Sequence, residues 1–296
     1  GIPIIDFPTR WANTLEEYIS KGLAVRDRFN NDPLINFSFA PHAPYTVSDA
    51  SLQRIQPLMD ELGLSMHMHL HETLNEVEQS FSEHHLRPLA RLDKLDLLGP
   101  ELIAVHMTEL NQTEIQQLAE HGVHIVHCPE SNLKLASGFC PVADLLATGV
   151  NVALGTDGSA SNNDLDMLGE MRTAVLAKGV AKKADALPAY QALRMATING
   201  AKALGLADKI GSLEIGKQAD LFAINLNAIE TQPVYDVIST LVYAANRSQI
   251  SDVWVAGKAV MSHHQLNHIN EAQLLKKLHT WREKIAPFHH QSYKAV

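Results

Sequence analysis

Cysteine is scarce: the 296 residues hold two, Cys128 and Cys140. A disulfide framework is therefore excluded as the organising device, and a reduced compartment, the cytoplasm, is the expected location. Long apolar runs are also missing. None reaches the ~18–20 residues of a membrane span, so no membrane partner is expected. Basic runs are absent and the net charge is −9, which argues against binding nucleic acid by phosphate neutralisation. The chain opens Gly1-Ile2-Pro3-Ile4 with no signal-peptide pattern. What is present is an ordinary globular balance, 46% hydrophobic and 19% charged, at a length that suits an α/β barrel of ~250 residues. Histidine is plentiful, with 16 copies, several of them at the ends of apolar runs.

Short β-branched runs alternate with helical patterns over most of the chain. Strands are expected at Ile2–Asp6, Leu34–Ala40, Leu64–Leu70, Leu102–His106, Val123–His127 and Val150–Thr156. Between them lie helical patterns at Leu15–Phe29, from Ser48, and over 73–93, 111–121 and 141–148. Ser48 supplies a capping hydroxyl. Strands separated by helices imply right-handed crossovers and a parallel sheet. This is most of a (β/α)8 TIM barrel, with a doubly wound sheet as the structural alternative. Helical patterns follow at 163–179, 188–196 and 199–204. The texture then changes: Gly211–Ile224 reads as a turn, a polar hairpin and a strand, and Val253–Met261 as a hairpin around Gly257. The expected division is a barrel over 1–208, a small β-sandwich portion over 209–262, and a C-terminal helix and tail over 263–296. The tail sequence His289-His290-Gln291-Ser292-Tyr293 is read as a solvated end.

The informative pattern is what ends each strand. His42 follows the second, and His67, His69, His71 and Glu72 crowd the end of the third. His106 ends the fourth, His127-Cys128 the fifth and Asp157-Gly158 the sixth. In a parallel α/β barrel these C-terminal ends meet on one face, where catalytic groups gather. Each residue alone has a bland reading: a hydrogen-bonded structural histidine, a turn aspartate, or a glutamate offsetting a helix dipole. Together, imidazoles and carboxylates suit a divalent metal with a position left open for water. Alternation puts His67, His69 and His71 on one strand face, with His67 deeper and suited to packing. His84, His85, His121 and His124 take structural places, and the lack of Cys-x-x-Cys excludes a structural zinc site.

His69-x-x-Glu72, the later His106 and Gly155-Thr156-Asp157-Gly158 resemble the metal-dependent amidohydrolase superfamily. More narrowly, Ala40-Pro41-His42-Ala43-Pro44-Tyr45, His127-Cys-Pro-Glu-Ser131-Asn132-Leu-Lys-Leu-Ala-Ser137-Gly and Leu154-Gly-Thr-Asp157-Gly-Ser-Ala-Ser161-Asn162-Asn-Asp164 are similar to the 5-methylthioadenosine/S-adenosylhomocysteine deaminases. The resemblance runs through Ile210–Asp220. It implies a hydrolase that converts the adenine ring of S-adenosylhomocysteine or 5-methylthioadenosine to hypoxanthine with release of ammonia. The alternatives are a heterocycle hydrolase of triazine, guanine or cytosine type, or an inactive truncated homologue. One divalent metal is implied, zinc first, with iron or manganese also accepted by such ligands. His69 and Asp157 are the implied metal ligands, and Glu72, His106 and Asp157 the catalytic groups. His42, Glu72 and Asp157 are the substrate contacts. In that scheme Glu72 handles the purine ring nitrogen, Asp157 shuttles a proton, and His106 steadies the developing negative oxygen. Ser131 and Asn132 support the pocket rim, and Arg10 meets a substrate carboxylate. The implied partner is a small purine nucleoside, and the implied assembly a homodimer.

One feature departs from the family pattern. Its members carry a His-x-His pair on the first barrel strand, and no such pair occurs upstream of His42. The sequence is accordingly expected to be a C-terminal portion of a longer enzyme. The first barrel strands and part of the small β unit would then lie outside it, and the portion alone is expected to bind metal weakly and to be inactive.

Overall fold

The computed structural model describes residues 1–176 and 178–292, with side chains described up to residue 286. Six strands form one parallel sheet: β1 (Ile2–Ile4), β2 (Ser38–Pro41), β3 (Ser65–Leu70), β4 (Leu102–His106), β5 (His124–His127) and β6 (Asn151–Leu154). Their spatial order is their chain order, β1 to β6, and β1 and β6 are the sheet's edges. A doubly wound sheet would reverse direction part-way, and this one does not. The sheet is not closed on itself.

The connections are helical. They are α1 (Leu15–Phe29), α2 (Asp49–Leu62), α3 (Leu74–His84), α4 (Pro88–Lys94), α5 (Gln112–His121), α6 (Pro129–Lys134) and α7 (Val142–Ala147). Capping side chains start four of them: Thr14, Ser48 and Thr73 each accept an N3 backbone N–H, and Asn111 with Glu114 forms a capping box. Helix α1 lies against β1 so closely that a Cβ on Gly22 would stand 2.2 Å from Ile2 Cγ2. The single helix expected over 73–93 is two. His85 turns left-handed at φ 55° to close α3, and Arg87 is held extended ahead of Pro88.

Beyond β6 come α8 (Met167–Leu176), α9 (Lys178–Ala181), α10 (Ala189–Met195) and α11 (Ile198–Ala203). Then a second sheet forms from β7 (Leu221–Ile224), β8 (Ile250–Val255), β9 (Lys258–Ser262) and β10 (Gln265–Leu266), with α12 (Val237–Tyr243) between β7 and β8. This sheet is antiparallel, in the order β10-β9-β8-β7. The β8–β9 hairpin turns at Gly257 as expected. The polar hairpin expected between Gly211 and Asp220 is instead a run of turns. Helix α12 was not anticipated; it packs on α8 and α10. The described residues end in α13 (Glu271–Ser292). Of the expected solvated tail, Tyr293 and the following residues lie outside the described residues, as do the side chains of His289 and His290. Both cysteines are buried thiols. Among the described residues no helix is long and apolar enough to cross a membrane.

The core lies between the parallel sheet and its helices, with Ile4, Phe39, Leu52, Met66, Leu102 and Ile125 at its centre. The other face of the sheet lines a cavity, so burial alternates along β1, β2, β3 and β5, and His67 stands exposed in the middle of β3. Polar side chains crowd most closely at the strand ends.

Candidate metal centre and active site

Four residues at or just beyond these strand ends have left-handed backbone: His71 (φ 50°), His106 (φ 75°), Met107 (φ 52°) and Asp157 (φ 62°). Such angles are costly for side chains with a Cβ and concentrate where surroundings hold a functional group in place. Here they turn the chain sharply out of the sheet and bring side chains from separate strands to one place.

His69 near the end of β3, His106 at the end of β4 and Asp157 after β6 each offer one ligand atom, all within 4.8 Å of one another. The two rings stack 23° from parallel with centroids 5.4 Å apart. His69 Nδ1 lies 2.7 Å from the His42 carbonyl. A carbonyl only accepts, so Nδ1 carries the hydrogen, which in the neutral ring leaves Nε2 bare. His106 Nε2 is buried without a hydrogen-bond partner. Asp157 Oδ2 accepts from Ser131 Oγ at 2.7 Å and Ser161 Oγ at 2.5 Å. Burial pushes the Asp157 carboxyl up, but the hydroxyls of Ser161 and Ser131 outweigh it and hold the group below the ordinary aspartate value. Two bare imidazole nitrogens and an ionised carboxylate form a donor set that suits a borderline divalent cation. The arrangement fits a metal.

Glu72 stands beside this set. Its Oε2 is 3.8 Å from His106 Nε2, and its Oε1 accepts from Ser137 Oγ at 3.2 Å. Glu76 holds the backbone of this turn, accepting the N–H of His71 at 2.8 Å and of Glu72 at 2.7 Å. Burial pushes Glu76 up to about 7. His42 meets His69 edge-on at 5.3 Å, and its Nδ1 is 2.8 Å from Thr46 Oγ1. Burial, then neighbouring His69, lowers its pKa. Burial is also the main cause lowering His106. A cavity of about 650 Å3 opens onto His42, His69 and Asp157, with Trp11, Tyr18 and His67 also in its wall. A cavity of this size takes a nucleoside-sized ligand.

The structure therefore gathers His42, His69, Glu72, His106 and Asp157. It separates the three histidines of β3. His67, expected to pack, faces the cavity. His71 has left the strand: its Nδ1 donates to the Glu109 carbonyl at 2.9 Å and its Nε2 accepts the Leu89 N–H at 2.9 Å, which consumes the ring. Ser131 and Asn132, expected at the rim, are fully buried beneath the site. Arg10 is exposed, beside the cavity-lining Thr9 and Trp11. The expected structural places of His121 and His124 hold: the first is bonded to Gln117, the second to Asn151. The grips of Ser161, Ser137 and Glu76 were not foreseen. Ser161 sat in the quoted Asp157 motif, but a hydroxyl four residues on carries no signal by itself.

The amidohydrolase family model matches residues 7–260. The chain belongs to the amidohydrolase family. A 5-methylthioadenosine/S-adenosylhomocysteine deaminase from Teredinibacter turnerae is 51% identical over 284 residues, a match covering 96% of this chain and 64% of that protein. A deaminase of the same description from Aquifex aeolicus is 42% identical, covering 96% and 66%. Among solved structures, a zinc-bound adenosine deaminase from Xanthomonas campestris is similar at a TM-score of 0.95 and 53% identity, covering 97% of this chain and 66% of that one. This amidohydrolase chain thus spans about two thirds of the length of the relatives it matches.

Proposed function

We propose that this amidohydrolase site removes the amino group from the adenine ring of S-adenosylhomocysteine or 5-methylthioadenosine. The observation that carries the reading is the meeting of His69, His106 and Asp157 within 4.8 Å, with Glu72 3.8 Å from His106. The relatives named as deaminases of these nucleosides support the substrate class. In this reading the parallel sheet is six strands of an eight-stranded barrel. The barrel portion is residues 1–208, and 209–262 belongs to a small β-sandwich.

His69 and Asp157 would hold one divalent ion, zinc by the likeness to the zinc-bound relative. When bound, the ion supplies a Lewis acid that lowers the pKa of water towards about 7. The chain's own groups do the rest. His42 and the cavity wall seat the purine. Asp157 takes a proton from the water that attacks C6 and later delivers it to the departing amine. Glu72 gives a proton to the adjacent ring nitrogen, and recovers one as the C6 hydroxyl becomes a carbonyl. Atoms then balance: water and the aminopurine give the oxopurine and ammonia. His106 faces the reacting centre through Nε2.

The test is ammonia release from the two nucleosides, followed by loss of adenine absorbance, by the zinc-loaded enzyme at the full length of the relatives and by residues 1–296 alone. Turnover of either nucleoside is expected from the longer enzyme, and none from residues 1–296 alone. Release of ammonia or chloride only from a guanine, cytosine or triazine substrate would replace the reading with another heterocycle hydrolase. No turnover of any of them by the longer enzyme would overturn it.

A further inference from the structure

Two buried residues on one short turn reach two strand ends. Ser131 of α6 bonds Asp157, and its neighbour Asn132 places Oδ1 2.7 Å from His106 Nδ1. Neither Ser131 nor Asn132 has any exposed surface, so neither can touch a ligand. The next residue back, Glu130, ties the turn to the protein behind it. Its backbone N–H reaches Glu170 at 3.2 Å, and its carboxylate accepts from Thr173 at 3.1 Å and Asn162 at 3.3 Å. The turn is thus fixed from below and grips the site from beneath.

What Asn132 does to His106 follows from hydrogen-bond inventory. An amide oxygen only accepts, so the ring nitrogen facing it carries a hydrogen. A neutral imidazole has one N–H. Once that hydrogen is on Nδ1, Nε2 is a lone pair. His106 Nε2 is the atom found buried without a partner, 3.8 Å from Glu72 Oε2, and a ring nitrogen of His106 lies within 4.8 Å of ligand atoms of His69 and Asp157. The arrangement repeats what the His42 carbonyl imposes on His69. The two stacked rings therefore share a single polarity, hydrogens outward and lone pairs toward the pocket. Turning the amide over would reverse this, with Nδ2 donating to Nδ1 and the His106 hydrogen moved to Nε2. The direction of one side-chain amide decides whether His106 accepts or donates at the reacting centre.

We propose that Asn132 is a positioning residue that fixes His106 as its Nδ1–H tautomer, so that His106 meets the pocket as a lone-pair acceptor through Nε2. The inference rests on the deaminase reading only for what stands opposite His106, and it changes that group's part. A bare Nε2 takes a hydrogen bond from the attacking water or a share of a cation; it gives none to a developing oxyanion.

The deciding experiment reads the ring nitrogens directly. The whole chain is labelled with 15N-histidine, and long-range 1H–15N correlations are recorded with and without zinc, the His106 signals being assigned by their loss in His106→Gln. In the unsubstituted protein Nδ1 is expected to carry the hydrogen and Nε2 to be bare. In Asn132→Leu the single pattern is expected to give way to a mixture or to the Nε2–H form. Asn132→Asp, which still accepts at that position, is expected to keep the hydrogen on Nδ1. An Nε2–H or doubly protonated ring in the unsubstituted protein overturns the proposal, as does an unchanged tautomer in Asn132→Leu. If the leucine variant does not fold, the spectra of the unsubstituted and aspartate proteins decide. Absent deamination would sink the function reading and leave the tautomer result standing.

Discussion

Strand β4 of the parallel sheet is buried at every one of its five positions, while β8 of the antiparallel sheet is fully buried at none of its six. The contrast explains where chemistry can gather. Along β4 a polar side chain has nowhere to go and emerges only at the end, where the backbone turns left-handed and several strands converge; β3, which lines the cavity, carries His67 exposed in mid-strand. The half-buried β8 leaves every position within reach of water, so no polar groups are forced together. Most of the orphaned atoms follow the same division: His106 Nε2, both nitrogens of His127 and Asn132 Nδ2 lie at the ends of the parallel strands or on the turn beneath them, and Asp220 Oδ2, just before β7, is the exception among the described residues. His127, pushed down to about 3 by burial, is kept neutral there.

The sharpest way to break the comparison is to remove one strand-end group without removing the donor set. Glu72→Gln keeps the shape and its Ser137 neighbour but has no proton to give. Turnover is expected to fall about 10²–10⁴-fold, with zinc content unchanged by metal analysis. Unchanged turnover would take Glu72 out of the chemistry, and lost zinc would make it a ligand.

How much of this was legible depended on how local the cause was. Helix α1 and strand β4 match their expected spans residue for residue, because a capping threonine and unbroken periodicity are local signals. The break between α3 and α4 was lost because apolar spacing runs on through His85 and Pro88. Helix α12 was hidden because its burial depends on α8 and α10, far away in sequence. In the site, residue type at strand ends picked out His42, His69, Glu72, His106 and Asp157. It could not tell His69 from His71, which differ only in who meets their nitrogens. Nor could it see that Ser131 and Asn132 lie beneath the site, since that follows from packing between α6 and two strand ends.

A smaller effect is expected from the loop that carries His42. Arg91, almost fully buried, donates to the carbonyls of Pro44 and Val47 and to the Asp49 carboxylate. Arg91→Ala strands two carbonyls among apolar neighbours, a loss of about 2–4 kcal/mol in denaturant unfolding. An effect below about 0.5 kcal/mol would mean that the covered region tolerates unpaired polar groups as readily as the exposed sheet does.

The carboxyl cluster behind α6 gives a pH signature. Burial pushes Glu170 up to about 7 from an ordinary 4.5. Between those values the unfolded chain has released a proton that the folded chain keeps, so stability falls as pH rises through this window and levels off above it. Glu170→Gln has no proton to release. From pH 5 to pH 8 the unsubstituted protein is expected to lose about 1–3 kcal/mol of stability relative to the glutamine protein. A gap between the two that stays constant would mean that Glu170 titrates as an exposed carboxyl.

The least effect belongs to the antiparallel sheet. The β8–β9 turn uses Ala256 and Gly257, both left-handed at φ 48° and 76°, the twist that suits a two-residue hairpin. A Cβ on Gly257 would meet nothing within 4 Å, so only its backbone preference is at stake. Gly257→Val is expected to cost about 1–2 kcal/mol, read by thermal unfolding, with zinc content and turnover unchanged because no group of the site rests on this sheet. If turnover fell with stability, the two sheets would be energetically coupled, and the strand-end site would depend on a surface that contributes none of its groups.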